Sequence, residues 1–292
     1  MGLASTLGLI WNHPLNQSNR VDALGRFLRW QFSSRLMPGL IAFPFVETTQ
    51  LFAKRGMTGA TGNWYCGLHE VHDMGFILHL LRPGELFVDI GSNIGSYSVI
   101  AAGAVGARVI AAEPVPTTFE HLSLNVFLNG LDDRVSMKCI GLSDRVGSVR
   151  FTSDLDTVNH VLADGEAGAS IEVPVTTLDE LAEEEVPLAI KIDVEGHEFS
   201  VLRGAERTLS APELLAVVME INGSGARYGV SDMCLIDHMQ AYGFKPYAYD
   251  SFERQLIDAS LAKDNTIFIR NRDMVEERVK AARRYRLING EI

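Results

Sequence analysis

The chain has 292 residues, 47% hydrophobic and 22% charged, the balance of a globular protein long enough to bury its own core. Its formal net charge of −11 argues against nucleic acid as a main partner, because phosphate binding asks for a basic face. Cys66, Cys139 and Cys234 stand far apart with no CxxC pair, which argues against a zinc ribbon or disulfide framework and favours reduced thiols in a cytoplasmic protein.

Residues 1–10 lack the basic start and small-residue cleavage site of a secretory signal. The apolar run 36–46 is broken by Pro38 and Pro44 and is too short to span a bilayer. Up to about Leu81 the chain reads as helices and irregular segments, so residues 1–84 are expected to form a helical N-terminal extension. Within it, residues 20–37 carry Val21, Leu24, Phe27, Leu28, Phe32 and Leu36 at helical spacing, accompanied by Arg26, Arg29, Trp30 and Arg35. Such a helix packs by default on its own domain or on a second copy in a homodimer. The less favoured alternative is peripheral contact with an anionic membrane.

From Glu85 onward strands and helices alternate. Apolar runs at 86–90, 108–112, 135–142, 188–192, 214–221, 247–249 and 266–269 predict seven strands. Helical spacing at 94–105, 116–129, 198–209 and 233–242 fills the intervals. Continuous Val, Ile and Leu runs indicate strands buried on both faces, and strand–helix repetition indicates right-handed βαβ units. The expected fold over 85–270 is therefore α/β, a doubly wound, mostly parallel seven-stranded sheet of Rossmann-like type. An insertion at 147–184 offers two further strands, 149–152 and 171–175, around a polar loop at 154–169. Residues 271–292 form a tail with a charged surface helix, in which Glu276 and Glu277 precede Lys280 and Arg283 at pairing distance.

The first strand–helix turn reads Val88-Asp89-Ile90-Gly91-Ser92-Asn93-Ile94-Gly95. Glycines let the backbone turn sharply against a ligand, and the next helix offers free N–H groups at the sheet's carboxyl edge. The pattern is GxNxG, so the middle glycine that admits a pyrophosphate is absent. Asp89 would repel a phosphate and suits an ammonium. S-adenosylmethionine (SAM) carries an ammonium, a carboxylate and a sulfonium but no phosphate, and charge complementarity favours it over NAD. Glu113 ends the second strand 22 residues after Gly91, where an acid can accept both ribose hydroxyls.

The chain resembles the FkbM family of SAM-dependent methyltransferases in FVDIGSNIGSYS (87–98), GLSD (141–144), VTTLDEL (175–181) and KIDVEGHEFSVLRGA (191–205). NWYCGLHE (63–70) resembles a stretch found in one branch of that family. The resemblance implies a class I methyltransferase fold with SAM held by Asp89, Gly91, Ser92, Asn93, Gly95 and Glu113. It further implies that Ser143 and Asp144 lie beside adenine, that Tyr65 and Glu70 cover the pocket, and that methyl goes to oxygen, commonly a hydroxyl of a sugar or polyketide.

Asp193, Glu195, His197 and Glu198 stand at or just past the fourth strand's carboxyl edge. A hydroxyl is a poor nucleophile until a base takes its proton, and His197 is the natural candidate, with Asp193 to orient it or hold the acceptor. The plainer reading of His197 is a helix-start residue without a chemical task. Glu195 could instead cap the following helix, and Glu220 serve either the site or a structural salt bridge. Asn159 and His160 are lid candidates in the insertion. His69 and His72 share a helix face without a third ligand, so no metal is expected. The resulting expectation is an O-methyltransferase acting on a small molecule, sugar or glycolipid. Its rivals are a non-catalytic SAM-binding module and an NAD-dependent oxidoreductase on a similar sheet.

Overall fold

The computed structural model describes residues 2–152, 160–163, 168–259 and 264–292. Two helices open the chain, α1 (Leu3–Asn12) and α2 (Arg20–Leu36). A hairpin of β1 (Ile41–Pro44) and β2 (Gln50–Ala53) follows, then α3 (Thr58–Cys66) and α4 (Val71–Leu80). The extension is thus not wholly helical. Phe43, Leu51 and Ala53 alternate inward on the hairpin, the period-two signature of paired strands.

The βα series comprises β3 (Leu86–Ile90), α5 (Ser96–Val99) running into a π-helical stretch at Ile100–Val105, β4 (Arg108–Ala112), α6 (Pro116–Leu128) and β5 (Val135–Lys138). The expected strand 135–142 divides. β6 (Gly141–Leu142) leaves the main sheet and pairs with β8 (Ser170–Thr176), which also pairs with β7 (Gly147–Thr152). The two extra strands of the insertion therefore form. The loop 154–169 lies mostly outside the described residues, and Asn159 lies outside them. After α7 (Leu178–Leu181) come β9 (Ala189–Ile192), α8 (Glu198–Arg203) and α9 (Glu206–Ser210). The expected single helix 198–209 breaks at Gly204, where a β-carbon would meet the Ser143 carbonyl oxygen at 2.2 Å.

The chain continues with β10 (Ala216–Ile221), α10 (Asp232–Ala241), β11 (Lys245–Asp250), β12 (Gln255–Asp258) and β13 (Asp264–Ile269). It ends with α11 (Arg272–Lys280) and a short hairpin of β14 (Arg286–Leu287) and β15 (Gly290–Glu291). The main sheet has the order β12-β11-β13-β10-β9-β3-β4-β5. Its five central neighbours β10, β9, β3, β4 and β5 are parallel, and β13 is antiparallel to β10. The seven expected strands are joined by β12, a polar edge strand that buries only Leu256.

Alternate residues of each central strand feed different cores. Phe87 and Val109 join the cluster that contains α2, α4 and α11, whereas Val88 and Ile90 join the cluster under α8 and α10. The first cluster runs without interruption from Ile10 through the sheet to Ile292, so extension and tail are parts of the same core. In the tail, Val275 and Val279 of α11 are buried, which corrects the expectation of a solvated surface helix. Its Lys280 does pair with Glu276 at 3.2 Å, but Arg283 reaches Glu47 at 3.0 Å instead of a helix neighbour.

Candidate active site

Strand order reverses between β3 and β9, since the chain moves outward from β3 to β5 and then returns to β9 on the other side. The crevice at such a switch point, outside the strands' carboxyl ends, is where open α/β sheets bind ligands. Two adjoining cavities occupy it here.

The first is an apolar slot. Ile140, Leu142, Val149, Phe151, Val161 and Val175 wall it, with Glu113 at one end and His197 at the other. Glu113 accepts the backbone N–H groups of Asn93 and Val115, each at 3.0 Å. Burial pushes its carboxyl up to about 7. A carboxylate has about four lone-pair sites, so Glu113 can still accept two hydroxyls. Ser143 and Asp144, expected beside adenine, line neither cavity. Asp144 is held by Arg203 at 3.3 Å, and Ser143 Oγ lies 3.1 Å from His197 Nε2.

The second cavity, of about 520 Å³, is built jointly by the βα turns and the extension. It is lined by Gly91, Ser92 and Asn93 of the first turn, by the acid wall of Asp193, Glu195 and Glu220, and by Lys54, Asn63 and Glu70 of the extension. Gly91 and Gly95 have φ of +71° and +86°, and a β-carbon on Gly95 would meet Leu122 Cδ1 at 2.5 Å. The glycines thus serve the turn and its close packing on α6.

Asp89 lies beneath this turn, 1% exposed, with Oδ2 accepting the Ser98 hydroxyl at 2.6 Å. Its Oδ1 and the Ser92 hydroxyl are buried without hydrogen-bond partners. Burial raises the Asp89 carboxyl, while Lys191 and the Ser98 bond oppose the rise. Asp89 itself lines neither cavity; the orphaned Ser92 hydroxyl, the acid wall, the two hydroxyl-accepting positions on Glu113 and the apolar slot together fit an ammonium, a sulfonium, a ribose and an adenine. The residues present therefore fit SAM.

Lys191 was not singled out in the sequence, although a lysine inside the apolar run Ala189–Ile192 is a visible signal. It donates to Asp193 Oδ2 at 2.8 Å and lies 4.8 Å over the Tyr97 ring. Burial would lower its pKa, but the attraction of Asp193, Glu70 and Asp89 outweighs that and raises it. Tyr97 donates to Glu70 Oε2 at 2.7 Å, and Asn265 donates to Glu70 Oε1 at 3.2 Å and to Asp73 Oδ2 at 3.0 Å. Glu70 lines the larger cavity. Tyr65 does not. Its ring packs on Phe27 at 5.5 Å inside the extension, and the cavity is lined instead by Tyr97 and Asn63.

Asp193, Glu195 and Glu220 each present a carboxylate oxygen within 4.8 Å of the others. Glu220 is pushed up to about 8 by burial and by the charges of Asp193, Glu195 and Glu198. Glu195 is pushed up to about 7 by burial and by Asp193 and Glu198. Glu195 does not cap the helix. Glu198 holds that turn, accepting from Val194 and Gly196 N–H at 3.3 and 3.0 Å, and leaves Glu195 (φ +54°) free to face the cavity.

His197, expected as the base, lies against Ser143 and Tyr228 at the apolar slot and does not line the larger cavity. Glu195 and Glu220, both raised toward neutrality, line the larger cavity, as do His69 and His121. His160 is buried beside the slot, its N–H donating to Thr152 Oγ1 at 2.9 Å. His72 Nδ1 accepts from the Ser251 N–H at 3.3 Å, which commits it to the tail side of α4 and away from His69.

Comparison with known proteins finds the methyltransferase FkbM domain over residues 89–246. The hexuronic acid methyltransferase AglP of Haloferax volcanii is 35% identical over 153 residues, 50% of this chain and 59% of that protein. The 31-O-demethyl-FK506 methyltransferase FkbM of Streptomyces tacrolimicus is 29% identical over 179 residues, 49% of this chain and 67% of its own. Among solved structures, the C-terminal domain of precorrin-6Y C5,15-methyltransferase from Rhodobacter capsulatus aligns with 18% identity and a TM-score of 0.40, covering 69% of this chain and 88% of that one. The matched stretch spans less than two thirds of AglP.

Proposed function

The chain belongs to the FkbM methyltransferase family, and from that premise we propose that it is a SAM-dependent O-methyltransferase acting on a hydroxyl of a small molecule, sugar or glycolipid. The observation that carries the reading is the acid set Asp193, Glu195 and Glu220, which lines the larger cavity together with the Gly91–Asn93 turn. Of the relatives named above, one is called a hexuronic acid methyltransferase, and the name of the other, 31-O-demethyl-FK506 methyltransferase, marks an oxygen.

SAM, when bound, supplies a methyl group on a sulfonium. Asp89, Ser92, Asn93 and Glu113 would bind it, and the apolar slot would take its adenine. The acceptor enters between the acid wall and the extension. Glu220, with Glu195 beside it, would take the proton from the acceptor hydroxyl, whose oxygen would receive the methyl that bound SAM supplies. A carboxylate held near neutral pKa is a better base for this task than an ordinary one. Lys191, donating to Asp193 Oδ2 at 2.8 Å, aims that carboxylate, and alignment of the two reactants in the cavity provides much of the acceleration.

The testing experiment is calorimetric titration with S-adenosylhomocysteine, with NADH in parallel. Micromolar or tighter binding of the homocysteine product and none of NADH supports the reading and opens a screen of hydroxyl acceptors. NADH binding without product binding would replace it with the oxidoreductase.

A further inference from the structure

We propose that the outer face of α2, together with α1, is a docking surface for a membrane with anionic headgroups. Among the described residues, seven of the fourteen exposed large hydrophobic side chains fall within the first 37 positions. On α2 they are Val21, Leu28, Phe32 and Leu36, all at least 65% exposed. Spacings of seven, four and four residues keep them within about 80° of one another on a helix of 3.6 residues per turn. Arg29 and Arg35, both exposed, project on either side of this stripe. The opposite face of α2 is fully engaged, with Ala23, Phe27, Trp30 and the buried Arg26 packed into the protein. The default expectation, that the apolar residues of this helix pack on their own domain, therefore holds for one face only.

Charge identifies the occupant. Residues 1–19 carry no charged side chain, and residues 1–39 hold four arginines against one aspartate, a net of +3. The remainder of the chain accordingly carries −14 of the total −11. An anionic surface attracts the α2 face and repels the rest, which fixes one orientation. A second copy docked face to face would bring arginines against arginines. Arg20, the first residue of α2, stacks its guanidinium 5.1 Å over the half-exposed ring of Trp11, extending the patch onto α1 with an aromatic suited to the headgroup level. No described helix is long and apolar enough to cross a membrane, so the surface lies on the bilayer. α2 packs on α3, whose Thr58–Ala60 segment and Asn63 line the larger cavity, so one helix separates the docking surface from that cavity.

The test is co-sedimentation of the full chain with vesicles of equal parts phosphatidylcholine and phosphatidylglycerol, and with phosphatidylcholine alone. Binding to the mixed vesicles is expected to exceed binding to the neutral ones at least tenfold. Phe32→Asp is expected to weaken it at least tenfold, and Arg29→Gln and Arg35→Gln about fivefold each. A thermal melt of each variant, independent of any cofactor, confirms folding. No binding to the mixed vesicles, or binding that survives Phe32→Asp, overturns the proposal. So does a concentration-dependent dimer that Phe32→Asp dissociates while vesicles are ignored, which would assign the stripe to a second copy.

Discussion

A β-carbon placed on Gly91 would stand 1.8 Å from the carbonyl oxygen of Asp193, so the cofactor turn after β3 and the acid-bearing turn after β9 touch backbone to backbone. The φ of +71° at Gly91 adds a second reason for glycine. Gly91→Ala must therefore push the two turns apart, at about 1–3 kcal/mol for the backbone alone. We expect S-adenosylhomocysteine affinity to fall at least tenfold and the melting temperature by about 5 °C or more. Calorimetry and a thermal melt check this, and wild-type affinity in the variant would separate the two turns functionally.

The carboxyls of Glu195 and Glu220 lie near 7 and 8 because burial and neighbouring acids disfavour their charged forms. A base works only when deprotonated, so the single-turnover rate should rise with pH through that interval and level off above it. In Glu220→Gln the rate should drop about 10²–10⁴-fold. The residual activity should then titrate with Glu195 alone, at about 7. A profile that is flat from about pH 6 to 9 would remove both groups from the chemistry.

Lys191 already supplies a cation to Asp193 at 2.8 Å, and Glu195 and Glu220 are held partly protonated near neutrality. Lys191 is thus a cation already built into the acid wall. Turnover is expected to be unchanged by EDTA and by added magnesium. Loss of turnover on chelation, restored by a divalent metal, would show that the three acids share an ion.

His197 hydrogen-bonds Ser143 at the apolar slot, where burial lowers its pKa despite Asp144 nearby. His197→Ala is expected to weaken S-adenosylhomocysteine several-fold while leaving the single-turnover rate at saturating SAM close to wild type. A large rate loss at unchanged cofactor affinity would return the histidine to the role of base.

Arg26 is 1% exposed and ties α2 to the rest of the extension. It donates to the Tyr65 carbonyl at 2.9 Å and to Asn16 Oδ1 at 2.8 Å, and it pairs with Asp22. Arg26→Met would leave buried acceptors unpaired, at about 3 kcal/mol. Urea unfolding should show a single transition at lower midpoint. A loss under about 1 kcal/mol would mean that the extension contributes little to the common core.

The residues that recur at short range were legible in the sequence. The GxNxG turn, the acid 22 positions later and the apolar runs all follow from local rules: glycine's access to positive φ, helix termini that offer N–H groups, and strands buried on both faces. They sufficed for the sheet, its switch point and the cofactor class. What local rules cannot supply is where a side chain points once distant elements meet. His197 and Glu195 are two residues apart, yet across the turn at Glu195 and Gly196 only Glu195 reaches the larger cavity, while both line the apolar slot. Tyr65 and Glu70 are five residues apart, but only Glu70 meets Tyr97 and Asn265, which arrive from 27 and 195 residues away. The strand 135–142 reads as one run, and its division between two sheets depends on β8, a partner more than 30 residues downstream. Secondary structure and ligand class were written in neighbouring residues. The assignment of base, pocket wall and exposed face depended on contacts between segments far apart in the chain.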